Sequence, residues 1–359
     1  MTGLLRSRQP EHSDRDHRSP TRGTGPGNGP LPSTGVVGDE QRPVRSTVVV
    51  VTWRGREHIT ACLDALATQT RPHRTIVVDN ASDDGTADLL AAHPSAPTVR
   101  RLAANLGYAG GLAAVLDRVD TEFVAWLNDD AAPEPGWLAA LEDALDAEPH
   151  AAAAGSVLLR ADGSVQSAGV RLTRDGHGAD LTGVAPAPPG SRAVEVFGFC
   201  GGAVLVRTAE LRACGGVPAH FFCYYEDTDT AWRLRLAGRA VVVVPEARVR
   251  HRHGASTRPG SVAFHRWNER NRLLALLRCA PAVVAARELL RFTAITLLLP
   301  VRRALGRPVP DAANFRVRLR LRVLAEIATR LPATLRARSA IGRRAVVGRN
   351  AVWRRWAGR

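Results

Sequence analysis

The chain has few cysteines, no long apolar run and no leader-like segment, and each lack removes a class of protein. Its five cysteines, Cys62, Cys200, Cys214, Cys223 and Cys279, are odd in number and contain no CxxC or paired metal-ligand spacing. A disulfide framework or thiolate zinc site is therefore disfavoured, and a reducing compartment fits best. The N-terminal MTGLLRSRQPEHSDRDHRSP lacks the apolar core, roughly 7 to 15 residues, that a secretion signal requires. The most apolar late stretch, Pro281 to Val301, is broken by Arg287, Glu288 and Arg291, and its uncharged remainder is too short to cross a bilayer. What is present is ordinary for a folded protein: 45% hydrophobic and 23% charged residues over 359 positions exclude wholesale disorder, a collagen repeat and a polytopic membrane protein. That length accommodates one large domain, or one of about 200 to 250 residues with extensions.

Charge is unevenly placed. Residues 270–359 carry 21 basic residues, all arginine, against Glu288, Asp311 and Glu326, a net +18; the total of +15 leaves −3 for residues 1–269. A near-neutral body with a cationic tail attracts nucleic acid, anionic lipid or an acidic partner, and charge alone does not choose among them.

Residues 1–45 are crowded with Pro, Gly, Ser and charge and are expected to be disordered. From Ser46 the texture alternates: TVVVVTW, REHITACLDALATQT, RTIVVDN, a helix over 86–92, VRRL, a helix after Gly111, and EFVAWLN. This β-α-β-α series predicts an α/β fold with a parallel sheet, whose ligand sites lie at the carboxyl ends of the strands. After Pro149 the character becomes more antiparallel. IVV runs into Asp79, and FVAWL runs into Asn128, Asp129 and Asp130, so acids sit where the binding crevice belongs; Asp84 and Thr86 read as caps of the next helix. Glu226 and Asp227 follow the aromatic run FFCYY and open a helix, at its positive end. A histidine pair, His251 and His253, follows the strand AVVVV and shares one face of an extended segment. Oxygen ligands with one imidazole suit a divalent metal, Mn²⁺ or Mg²⁺, on a diphosphate, while a separate carboxylate takes a proton from an attacking hydroxyl. That division of labour describes glycosyl transfer.

Five ordered motifs carry a family resemblance: VVVVTW at 48–53, VVDNASDDGT at 77–86, NLGYAGG at 105–111, LNDDA at 127–131 and YYEDTDTAWRLRLAG at 224–238. Over roughly residues 46–280 the chain resembles the inverting, GT-A-type family 2 glycosyltransferases, in particular bacterial rhamnosyltransferase-like members. The resemblance implies a GT-A domain over 46–260, a Rossmann-like nucleotide-binding sheet, followed by a helical, Arg-rich extension over 261–359. It implies that Thr52 and Asp79 contact the nucleotide base and ribose. Asn105, Gly107, Gly110 and Gly111 would let backbone approach the nucleotide-sugar. Asp130 resembles the metal ligand of a DxD-like motif, with Asp129 beside it. Asp227 resembles the general base, with Glu226 as understudy, and the aromatic residues before it would raise its pKa. His251, in an HxxGxS element, would complete the metal and diphosphate site. The implied donor is a nucleoside-diphosphate sugar, with dTDP-rhamnose as one option, and the implied acceptor a lipid-linked or cell-surface glycan.

The chain also departs from the pattern. Arg54 stands where many relatives have Asn and is free in principle to pair with phosphate, and no QxxRW signature of processive synthases is present, which favours single addition. A sugar-nucleotide nucleotidyltransferase would need a Gly-rich phosphate loop after the first strand, which VVTWRGRE matches poorly. A non-catalytic binding protein with the tail as its working part is disfavoured by the presence together of Asp79, Asp130, Asp227 and His251. Selectivity is expected in the loop from Arg171 to Phe197.

In the tail, residues 264–281 resemble the Y-x-x-RN-type segment that follows the catalytic domain in rhamnosyltransferase-like relatives. Its leucines suit either an interfacial helix at the cytoplasmic face of the membrane or packing onto the domain. RVRLRLRV at 316–323 alternates strictly and reads as a strand or an interfacial segment. Trp353 and Trp356 among arginines are compatible with stacking on bases, but no recognised nucleic-acid fold accompanies them.

Overall fold

The structure, a computed structural model, describes residues 43–182, 191–252 and 260–358. Outside these lie residues 1–42, which cover most of the segment expected to be disordered, part of the selectivity loop, and His253, Gly254 and Ser256 of the HxxGxS element. The strands are β1 Ser46–Thr52, β2 His73–Asp79, β3 Thr98–Arg101, β4 Phe123–Asn128, β5 Ala131–Pro133, β6 Ala151–Leu159, β7 Val165–Ser167, β8 Val170–Leu172, β9 Gly178–Asp180, β10 Val194–Glu195, β11 Ala203–Arg207 and β12 Ala240–His251. The helices are α1 Ile59–Ala67, α2 Thr86–Ala92, α3 Gly107–Ala113, α4 Trp137–Ala147, α5 Thr208–Ala213, α6 Glu226–Leu236, α7 Val262–Cys279, α8 Ala282–Ala304, α9 Val317–Arg344 and α10 Arg349–Trp356.

The main sheet runs β10-β12-β6-β11-β4-β1-β2-β3, with β5 on β12 and β7 on β6, while β8 and β9 form a separate hairpin. The valine run of β1 is buried on both faces, Val48 and Val50 in one core and Val49 and Val51 in the other, as a central parallel strand requires. Its register sets Thr52 opposite Asp79 of β2, and Val51 opposite Asn128 of β4, so three carboxyl ends finish level. β11 enters antiparallel between β4 and β6, which brings the residues just before it, Gly201 and Gly202, to the same edge. β12 pairs His251 with Ala131 of β5, one residue beyond Asp130. The α/β sheet with C-terminal helices is thus as expected, but α3 begins at Gly107 and so precedes Gly111.

The tail is more integrated than its charge suggests. Leu273, Leu274 and Leu276 of α7 are buried in the core that contains Trp232, so packing wins over interfacial exposure there. The alternating RVRLRLRV is no strand; it lies at the start of α9, where Leu319, Arg320 and Val323 turn inward. Arg320 breaks the expected polarity because it is spent internally, donating to Thr296 Oγ1 and to the Phe292 and Asn314 carbonyls, with its guanidinium 3.7 Å from the Phe292 ring centroid. Trp353 stacks on Trp232 with centroids 6.0 Å apart and Trp356 packs on Phe197, so both indoles are committed to the core and not to bases.

Candidate active site

At the β1 end, Thr52 is fully buried and its hydroxyl donates to Asp129 Oδ2 at 2.6 Å. Thr52 thus holds a carboxylate of the neighbouring strand end. Burial pushes the Asp129 carboxyl up to about 6; the Thr52 bond opposes the shift and Asp130 adds to it. Arg54, by contrast, is exposed and forms a two-pronged surface pair with Asp83.

At the β2 end, Asp79 is buried, with Oδ1 accepting from Ser82 N and Oδ2, 3.6 Å from Arg101 Nε, lacking a hydrogen-bond partner among the described residues. Asn80 donates to the Gly107 carbonyl and accepts from Leu106 N, and Asn105 Oδ1 accepts from Gly107 N, so these side chains shape the loop before α3. Gly107 has φ +72, and a Cβ there would lie 2.2 Å from the Phe222 carbonyl oxygen. Gly110 and Gly111 are buried in α3, and a Cβ on Gly111 would meet Val51 at 2.6 Å. The small residues of NLGYAGG therefore admit protein backbone at Gly107 and the β1 strand at Gly111.

At the β4 end, Asp130 Oδ1 lies 3.1 Å from His251 Nε2, both side chains being nearly buried. His251 Nδ1 is 3.0 Å from Gln166 Oε1, and Asn128 Nδ2 is 3.0 Å from Nε2. The ring is thus held at both nitrogens, by Gln166 at Nδ1 and by Asn128 and Asp130 at Nε2. Among the described residues no group of three or more His, Cys, Asp or Glu side chains converges on one point. Two donors, an anionic oxygen of Asp130 and an imidazole nitrogen of His251, would nevertheless suit a divalent cation in company with a diphosphate.

Gly201 and Gly202 join this pair to the start of α6. Gly201 N donates to Asp227 Oδ2 at 3.0 Å, and a Cβ on Gly202 would lie 3.7 Å from His251 Nε2 and 3.5 Å from Asn128 Nδ2. Consecutive residues, with Cα atoms about 3.8 Å apart, thus touch Asp227 on one side and the His251 cluster on the other. The Tyr108 hydroxyl donates to the Gly201 carbonyl at 2.6 Å and pins this bend. Burial pushes the Asp227 carboxyl up, against N–H donation from Gly201 and Thr228, and nearby Asp180 adds to the push. Burial, reinforced by Asp227, pushes Glu226 well above its ordinary value, and its Oε2 has no hydrogen-bond partner among the described residues.

The preceding turn is strained. Phe222, Tyr224 and Tyr225 all have positive φ, at 68°, 71° and 68°. Cys223 N donates to the Phe221 carbonyl across Phe222, a γ-turn of the disfavoured hand. Such non-glycine conformations cost of order 1–3 kcal/mol each and persist where surroundings hold them. The sequence assigns no role to Asn128 and Tyr108, although both lie in quoted motifs, and gives no sign of Gln166 or Asp180; for the Gly201–Gly202 bend the paired glycines before a β run are the signal.

The Glycosyl transferase family 2 model matches residues 47–194. The chain is 32% identical over 237 residues to the N-acetylglucosaminyl-diphospho-decaprenol L-rhamnosyltransferase of Mycobacterium tuberculosis, strains CDC 1551 / Oshkosh and H37Rv, covering 58% of this chain and 76% of that protein. Among solved structures it resembles GalNAc-T7, crystallised with UDP, GalNAc and Mn²⁺, with a TM-score of 0.55 and 11% identity over 82% of this chain and 58% of that one. That likeness is one of fold.

Proposed function

The chain belongs to glycosyl transferase family 2 and is a glycosyltransferase, and on that premise we propose that it moves L-rhamnose, with inversion, from a nucleoside diphosphate to an N-acetylglucosaminyl-diphospho-polyprenol acceptor. The choice of sugar and acceptor is supported by the mycobacterial relatives, whose name specifies both. The observation that carries the chemistry is the Gly201–Gly202 bend, shared by Asp227 and the Asp130–His251 pair.

In this reading Asp130 and His251 hold a divalent ion, Mn²⁺ or Mg²⁺, which when bound supplies Lewis-acid charge to the diphosphate leaving group. Asp227 accepts the proton of the acceptor hydroxyl as it attacks from the face opposite the diphosphate. Of the two buried acids Asp227 is the one to ionise, because both its oxygens accept N–H bonds that favour the anion. Glu226, with an unpartnered oxygen in an apolar setting, stays protonated. The test is transfer from dTDP-rhamnose to a GlcNAc-diphospho-polyprenol analogue, followed by product mass and anomeric configuration. A rhamnosylated product of inverted configuration is expected, lost with EDTA and restored by Mn²⁺ or Mg²⁺. Absence of product with every nucleoside-diphosphate sugar in a panel would refute the reading.

A membrane-borne acceptor calls for an enzyme at the bilayer, and we assign that contact to α8 on the cytoplasmic face. No helix among the described residues is long and apolar enough to cross a membrane. The outer face of α8 nevertheless carries Val283, Leu290, Leu297 and Val301 at helical spacing, with Val283 81% and Leu290 69% exposed. Arg287 and Arg291, both exposed, border that stripe, and exposed Arg302 and Arg303 stand at the end of the helix. Each arginine near anionic lipid contributes about 1 kcal/mol, and the stripe adds apolar burial. Flotation with phosphatidylglycerol vesicles is expected to carry the wild type and to leave behind Leu290→Glu/Leu297→Glu at an unchanged melting temperature. Equal flotation of that variant, or a dimer lost with it, would overturn the assignment.

A further inference from the structure

Arg270 and Asn271 belong to α7, outside the motifs that carry the chemistry, yet their side chains end on the strained turn before Glu226. The two N–H groups of the Asn271 side-chain amide are shared among the carbonyls of Phe221, Cys223 and Tyr224, whose oxygens lie 2.9, 2.8 and 2.8 Å from Nδ2. Its Oδ1 accepts from Arg270 Nε, and Arg270 Nη2 donates to the same Phe221 carbonyl at 2.6 Å. Glu326 of α9 braces Arg270 from behind. Asn271 is fully buried and Arg270 nearly so. On the opposite side Ala109 N donates to the Phe222 carbonyl.

A turn with three left-handed non-glycine residues relaxes unless its carbonyls are restrained, and here two adjacent residues of one helix restrain three of them. We propose that Arg270 and Asn271 are positioning residues that clamp the Phe222–Tyr225 turn and so fix Asp227 against the Gly201 N–H. The C-terminal extension thereby becomes part of the catalytic apparatus without touching substrate. The kinetic side of this proposal rests on Asp227 being the general base; the clamp itself does not.

The experiment compares wild type, Asn271→Ala, the milder Asn271→Ser, which keeps one donor, and Leu274→Ala, a buried α7 variant that leaves the clamp intact. Hydrogen exchange of the peptide spanning 219–229 is followed by mass spectrometry in each full-length protein. Transfer from dTDP-rhamnose is then measured across pH. Both Asn271 variants are expected to speed exchange in that peptide, to lower kcat about tenfold or more with donor KM within about twofold, and to move the acid limb of kcat/KM to lower pH as water reaches Asp227. Leu274→Ala is expected to lower the melting temperature without moving that limb. Unchanged exchange in the Asn271 variants overturns the clamp. Faster exchange with unchanged kcat and pH limb, or the same limb shift in Leu274→Ala, overturns the positioning role. If wild type transfers no sugar at all, the function proposed above fails, while exchange still decides the clamp; should Asn271→Ala not fold, Asn271→Ser carries the comparison.

Discussion

Asp227→Asn is expected to lower kcat by about 10³-fold, within the range of about 10² to 10⁴ that positioned proton transfer contributes, while the protein stays folded and still binds donor. Asparagine matches the shape of Asp227 and keeps one oxygen for the Gly201 N–H; its amide nitrogen replaces the oxygen that accepts from Thr228 N, so proton acceptance is lost together with one of the two N–H bonds. The pH profile supplies a second readout. Burial raises the Asp227 carboxyl, so wild-type kcat/KM should climb with pH through a limb above the ordinary carboxylate range, and that limb should vanish in the variant. Steady-state transfer across pH, with a thermal melt as folding control, checks both; a folded Asp227→Asn protein with wild-type rates would remove the residue from the chemistry. Glu226→Gln, by contrast, should preserve most activity, because a carboxyl already protonated differs little from an amide.

The second large effect concerns stability. Asp229 is fully buried two residues further along α6 and receives Arg233 Nε at 2.7 Å and Arg278 Nε at 2.6 Å. Burial alone would raise its carboxyl, but Arg278 and Arg233 outweigh that and hold it at about 2. Asp229→Ala strands two buried guanidiniums, a loss of about 3–5 kcal/mol, or roughly 5–15 °C in Tm. The sign with pH follows from a folded value below the unfolded one. The contribution is complete at neutral pH and fades as pH falls from about 4 towards about 2. Melts of wild type and Asp229→Ala between pH 2 and 7 should therefore converge at the acid end; a constant gap would show that the carboxylate's charge is not what is lost.

These two aspartates mark how far the sequence is legible. The valine run of β1 and the acids closing β2 and β4 are readable because a parallel sheet ties strand identity to strand ending, and Asp130 with His251 follows from motif order. The separation of Asp227 from Asp229 is not readable: both open the same helix, and only the arrival of Arg278 from α7 makes one structural and the other available. The same holds for Thr52, whose hydroxyl is claimed by Asp129, and for Arg320, whose burial among Thr296 and Phe292 turns an apparent strand pattern into helix. The Gly201–Gly202 bend lies beyond local pattern altogether, because β11 runs antiparallel into a sheet whose other half is parallel. Each of these depends on pairing between distant segments, which periodicity does not encode.

The indoles of α10 have a consequence for biosynthesis. Trp353 and Trp356 wall off Trp232 and Phe197, which were made more than a hundred residues earlier. A ribosome delivers the N-terminal portion first, so the nascent sheet waits with that apolar surface uncovered until α10 emerges. Chaperone dependence and loss to aggregation should accordingly concentrate in chains whose synthesis stalls within the last helix.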